Sequence, residues 1–274
     1  RGLGDVYKRQ YDTDAWPNHS SVFGIIDLAS LPKDRYYLYR SQWNRTSPTL
    51  HILPHWNWKG REGEITPVVV YTSYPQAELF VNGKSMGVRK KVDSGVLDYA
   101  EVAKTPYWER DRVQHIQDRN DSLAMNRYRL VWDDVVYQPG EVKVVAMDDA
   151  GKPMEERTLR TAGKAHHIVL SANRKEIVAD GNDLVYVTVN VADKDGNIVP
   201  DDNRMVKFKV SGAAEFLATA NGDPTCLLRF DRPEMKLFSG AATAILRAAS
   251  TPGKAELTVS APGVRPATIV IDVK

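Results

Sequence analysis

The stretch HILPHWNWKGREGE, residues 51–64, sets Trp56 and Trp58 two apart between histidines and a charged turn. An indole face stacks on the apolar face of a pyranose ring, so paired tryptophans suit sugar binding. The same side chains also anchor the cores of β-sandwiches. Residues two apart on an extended strand share a face, which makes both tryptophans core or both exposed, with His55 and Asn57 opposite. Core placement is the expectation, and an exposed aromatic platform is the alternative.

Adjacent acids at Asp133/Asp134, Asp148/Asp149 and Asp201/Asp202 raise the chemistry of glycoside hydrolysis. That reaction needs two carboxyls about 5–5.5 Å apart for retention, or ~6.5–9.5 Å for inversion, flanking a pocket. These pairs stand near turns and strand ends, where solvated turn carboxylates account for them. DKDGN, residues 193–197, suggests a calcium loop, but its glycine, Gly196, is the fourth residue rather than the sixth. A hairpin turn is expected there instead. His166 and His167 sit at a junction between segments, with no G-x-S-x-G nucleophile motif anywhere in the chain. Walker, Rossmann and zinc-spacing patterns are also missing, so no cofactor and no metal site are expected.

Composition limits what surrounds these residues. The chain has 274 residues, enough for two domains, with 42% hydrophobic and 26% charged content. Thirty-seven basic against thirty-five acidic residues give a net charge of +2 without long single-sign blocks. Nucleic-acid binding is therefore not expected, and no apolar run is long enough for a membrane span. The single Cys226 excludes an intrachain disulfide framework. The first ten residues, RGLGDVYKRQ, resemble a translated adapter sequence and are expected to be a non-native tail. On that reading the chain starts inside a larger protein.

The positioning elements change character along the chain. Val22 to Leu28 is a nearly continuous apolar run, which reads as a strand buried on both faces. Pro32 then falls at a first helical position, followed by Asp34 in the first turn and Tyr36, Tyr39 and Trp43 at helical spacing. Such a strand–helix unit needs neighbours in a parallel sheet, and the rest of the chain offers none. From residue 48 short β-rich segments alternate with turns, including the Asn82-Gly83 hairpin signal. Residues 101–124 are polar and irregular. A second all-β segment starts near His167, where Leu184 to Val191 alternates valine with other residues. Its regular spacing fits an immunoglobulin-like sandwich.

The same stretches carry a family likeness. SSVFGIIDLASLPKDRYYLYRSQW, LHILPHWNWKGREGE, VVVYTSYPQAELFVNGKSMG, YRLVWDDVVYQPGEVKVVA and LSANRKEIVADGNDLVYVTVNVADKDGNIVP, then ATANGDPT, occur in this order. As a set they resemble the bacterial glycoside hydrolases of family two, the β-galactosidase group. The resemblance implies a mainly β chain: two antiparallel, Ig-like β-sandwich domains preceded by the last strand–helix unit of a truncated TIM barrel. Residues 11–47 would be the barrel end, with 48–163 and 164–274 the two sandwiches. The family's catalytic glutamates lie upstream of Tyr11, so no catalytic residue is assigned and the chain alone is expected to be inactive. Trp16, with Asp14 and His19, is the best local candidate for sugar contact.

β-Glucuronidases of this family resemble one another in an Asn-x-Lys pair before the glycine of that strand. Here Ser21, Val22 and Phe23 precede Gly24, and without the cation a neutral glycoside is the better fit. The resemblance thus implies the C-terminal accessory region of a retaining exo-β-glycosidase acting on terminal β-D-galactosides. Its partner would be a glycoside or oligosaccharide held by the parent barrel, an oligomer is compatible, and the compartment would be periplasmic or extracellular. The rival readings are a non-catalytic carbohydrate-binding or scaffold module and a cell-surface array of Ig-like domains. A buried strand–helix unit argues against the array.

Overall fold

The computed structural model describes residues 17, 18, 24–92 and 126–274. These residues are mainly β, and they divide into two compact units. One is Asp34–Thr161, and the other is Ala162–Lys274 with the residues up to Lys33.

In the first unit, helix α1 (Asp34–Trp43) carries Asp34 in its first turn and Arg40 in its last, each complementing the helix dipole. Among the described residues seven strands follow: β1 (Leu50–Leu53), β2 (Val68–Thr72), β3 (Gln76–Val81), β4 (Lys84–Lys90), β5 (Leu130–Trp132), β6 (Glu141–Met147) and β7 (Pro153–Arg160). They form two antiparallel sheets, β1-β2-β5 and β4-β3-β6-β7. Period-two burial on β3 and β6 sends Leu79, Val142 and Val144 into one cluster with Ile52, Val70 and Trp132 of the other sheet. The β3–β4 turn is the expected Asn-Gly pair, with φ of 48° at Asn82 and 80° at Gly83. Asn82 also reaches across the sheet: its Oδ1 accepts the Glu141 N–H at 2.7 Å, and its amide donates to the Pro139 carbonyl at 3.2 Å. Gly140 makes room for it, since a Cβ there would lie 2.0 Å from Asn82 Oδ1. The irregular stretch expected at residues 101–124 lies outside the described residues.

The second unit holds β8 (His167–Ala172), β9 (Glu176–Ile177), β10 (Leu184–Ala192), β11 (Met205–Gly212), β12 (Ala214–Ala220), β13 (Glu234–Lys236), β14 (Ala241–Ala248), β15 (Gly253–Ser260) and β16 (Ala267–Val273). One sheet runs β12-β14-β10-β8 and the other β13-β11-β15-β16-β9, with β9 and β16 parallel and the remaining pairs antiparallel. The alternation on β10 buries Val185, Val187, Val189 and Val191, which join Leu257, Val259 and Ile271 of the other sheet in a shared core.

The apolar run before α1 departs from expectation. Within its described part, residues 24–28, the extended pairing is a lone bridge between Ile26 and Pro32. The reason is Asp27. Its Oδ1 accepts the N–H groups of Ala29 and Leu31 at 2.8 and 2.9 Å, folding the chain back within the run. Pro32 is thereby taken into the bridge, and α1 starts two residues later, at Asp34. The segment docks on β14: Ala29 is buried, and its carbonyl accepts the Thr243 hydroxyl at 2.8 Å.

The DKDGN turn is organised by its first residue. Asp193 is buried, and its Oδ1 accepts the N–H groups of Asp195 and Asn197, both at 2.9 Å. Its Oδ2 accepts the Gly163 N–H at 2.8 Å and the Asn197 side-chain amide at 3.0 Å. Burial acts to raise the carboxyl's pKa, but the Asn197 amide and the three backbone donors together outweigh it and hold it at about 2. Because the folded value is depressed, the stabilisation is complete above the ordinary carboxylate value of 3.8 and is lost as pH falls from there toward about 2. Asp193→Ala is expected to lower the melting temperature at pH 7 (a loss of about 2 kcal/mol or more), with the gap to the native chain narrowing below pH ~4. Thermal melts of both chains across pH check this, and a gap independent of pH contradicts it.

Candidate functional site

Asp14, Trp16 and His19, the sugar-contact candidates, lie outside the described residues, as do Ser21, Val22 and Phe23. Trp56 and Trp58 are described, and they do not share one fate. Strand β1 stops at Leu53, since Pro54 offers no N–H to a ladder, and residues 54–58 run irregularly. The strand alternation expected for the pair therefore does not apply. Trp56 is 2% exposed, sits edge-on to Tyr137 with centroids 5.0 Å apart, and donates its indole N–H to the Gln138 carbonyl at 2.9 Å. Its own carbonyl accepts the Thr161 hydroxyl at 2.6 Å. Trp58 is only half-buried at the edge of this core. The His55 ring stacks on it at 4.3 Å, and the Arg61 guanidinium stands 5.2 Å from its centroid. Its ring is thus already engaged by this chain's own side chains.

The paired acids take separate paths. Asp133 and Asp134 are both exposed. Asp148 closes the β6–β7 turn by accepting the N–H groups of Ala150 and Lys152 at 3.0 and 2.9 Å. Asp202 is buried and gripped by Arg204, whose Nε lies 2.8 Å from both carboxylate oxygens. Its neighbour Asp201 is exposed and faces a cavity that the linear sequence did not reveal.

That cavity, of about 520 Å³, lies in the second unit and is walled by three loops. Pro200, Asp201 and Asn203 come from the connection after β10, Asn221, Asp223 and Leu227 from the one after β12, Lys236 from the end of β13, and Phe238 and Ser239 from the β13–β14 turn. Asn221 joins two of these walls. It is 1% exposed, donates its amide to the Lys236 carbonyl at 2.9 Å, and accepts the Asp223 N–H at 3.2 Å. The Gly240 N–H, bonded to the Asp202 carbonyl at 3.1 Å, ties in the third wall. Gly240 approaches so closely that a Cβ would lie 2.4 Å from the Val199 carbonyl oxygen. Asp27 of the folded-back segment presses on the same region, since a Cβ on Gly222 would fall 2.3 Å from its Oδ2.

Asn203, Lys236 and Phe238 escaped sequence reasoning because they come from separate segments, and Asp201 was singled out only as half of an acid pair with Asp202. NGDP, residues 221–224, carried a signal only as part of the family likeness, without a role. Among the described residues, no group of three His, Cys, Asp or Glu side chains could hold a metal ion. No described helix is long and apolar enough to cross a membrane.

Comparison with known proteins matches residues 168–270 to the model described as Glycoside hydrolase family 2 C-terminal domain 5. Residues 63–155 match a domain of unknown function, DUF4982. The chain is 38% identical to the beta-galactosidase BoGH2A of Bacteroides ovatus, over 93% of this chain and 26% of that protein. It is 25% identical to a beta-glucuronidase of Formosa agariphila, over 70% of this chain and 16% of that protein. A solved beta-glycosidase structure from Bacteroides vulgatus superposes with a TM-score of 0.77 at 28% identity, covering 94% of this chain and 29% of that one. The chain therefore spans about a quarter or less of the length of these two relatives.

The two tryptophans should separate in a stability measurement. Trp56→Ala is expected to cost ~3–5 kcal/mol, as for a filled core site. Trp58→Ala, half-buried and without a described hydrogen bond from its indole nitrogen, is expected to cost less than about 2 kcal/mol. Denaturant unfolding of both variants gives the comparison, and equal losses would contradict it.

Proposed function

Because the chain belongs to glycoside hydrolase family 2, we propose that it is the C-terminal accessory region of a retaining exo-β-glycosidase acting on terminal β-D-galactosides. The observation that carries this reading is 38% identity to a beta-galactosidase across nearly the whole chain. In such an enzyme one glutamate attacks the anomeric carbon while another serves as acid and then as base, and this chain supplies neither. The two β units serve instead as Ig-like sandwich modules attached to the barrel, with α1 a remnant of the barrel's end. Asp14, Trp16 and His19 would contribute sugar contacts at the barrel rim. Ser21, Val22 and Phe23 favour a galactoside over a glucuronide, because no cation stands there to meet a sugar carboxylate. The parent enzyme works in the periplasm or outside the cell.

The test assays the isolated chain and the full-length parent with nitrophenyl β-galactoside and nitrophenyl β-glucuronide. The parent should turn over the galactoside in preference, and the isolated chain should turn over neither. Hydrolysis by the isolated chain would refute the accessory role. A parent that prefers the glucuronide would refute the substrate assignment alone.

A further inference from the structure

We propose that the cavity between the 199–204, 221–228 and 236–239 loops is a binding site for a neutral oligosaccharide. Its volume of about 520 Å³ falls within the range of small-ligand sites. Its walls are held in advance of any ligand by the Asn221 bonds and the Gly240–Asp202 bond. Ordered walls reduce what a ligand must spend in organising its site.

The chemistry facing the cavity is mixed in the way a sugar requires. Asp201, Asn203 and the Lys236 ammonium make no side-chain hydrogen bond among the described residues, and all three are exposed. Asp223 uses only Oδ1, which accepts the Thr225 N–H and hydroxyl at 2.8 and 2.6 Å. Carboxylates and amides accept from, and ammonium groups donate to, the vicinal hydroxyls of a pyranose. Phe238 adds an aromatic ring at the rim, 41% exposed although its backbone is pinned by paired bonds to Ala241. An exposed ring on a fixed backbone can stack on the C–H face of a sugar. Two carboxylates face one ammonium here, so a uronate would meet net repulsion and a neutral sugar would not.

The proposal stands on this cavity and not on the hydrolase reading, so either can fail without the other. The experiment is calorimetric titration of the full chain with galactotetraose, xylotetraose and cellotetraose, with tetragalacturonate as the charged comparison. Saturable binding of at least one neutral tetraose is expected, with tetragalacturonate at least about tenfold weaker. Phe238→Ala and Asp201→Ala should each weaken that binding by about tenfold. Both side chains are exposed, so melting temperatures should stay unchanged and separate lost contact from lost fold. No heat from any neutral tetraose up to about 10 mM, or affinity untouched by both substitutions, would overturn the proposal. Tighter binding of tetragalacturonate would overturn it as well.

Discussion

A turn that leaves a sheet must find acceptors for backbone N–H groups that the ladder no longer satisfies, and in several turns of this chain short acid and amide side chains supply them beside the backbone carbonyls. Asp193 takes three backbone amides and Asp27 two. Asp148 takes two, and Asp183 accepts the N–H of Val178 across its own loop. Packing of apolar faces explains why the sheets form. It does not explain where the connections between them lie, and these side chains decide that.

The cavity depends on the same constraint. An amide as deeply buried as Asn221 is tolerated because it is bonded at both ends, to the Lys236 carbonyl and the Asp223 N–H. Those bonds convert two flexible connections into fixed walls. Segment 24–33 adds a further restraint, since Asp27 leaves no space for a side chain at Gly222. One aspartate thus turns its own segment and presses on the loop that carries Asp223.

What the sequence revealed follows the range of the interactions involved. Alternation on β10 and the Asn82-Gly83 turn were legible because each is set by residues adjacent in sequence. DKDGN was legible as a turn, but its grip on Gly163 was not, since that partner stands on another segment. The apolar run ending at Leu28 was not legible as a turn because its hydrophobicity masks the one carboxylate inside it, Asp27, which folds the chain back. Core placement of Trp56 was legible, but the difference in burial between Trp56 and Trp58 was not, because Pro54 ends the strand before the period of two reaches them. The cavity was hidden altogether, because Asp201, Asp223 and Phe238 meet only when three loops close. The family likeness, by contrast, resides in the linear order of motifs and was visible without a structure.

Side-chain hydrogen bonds, and not sheet pairing alone, fix the connections, and amide hydrogen exchange on Asn221→Ala, which removes both its bond from the Asp223 N–H and its bond to the Lys236 carbonyl, measures that directly. The expected result is a loss of protection confined to residues 221–226 and 236–240, with the amides of β10 and β14 exchanging as in the native chain. Unchanged protection in those two loops, or a uniform loss across the whole unit, would contradict it.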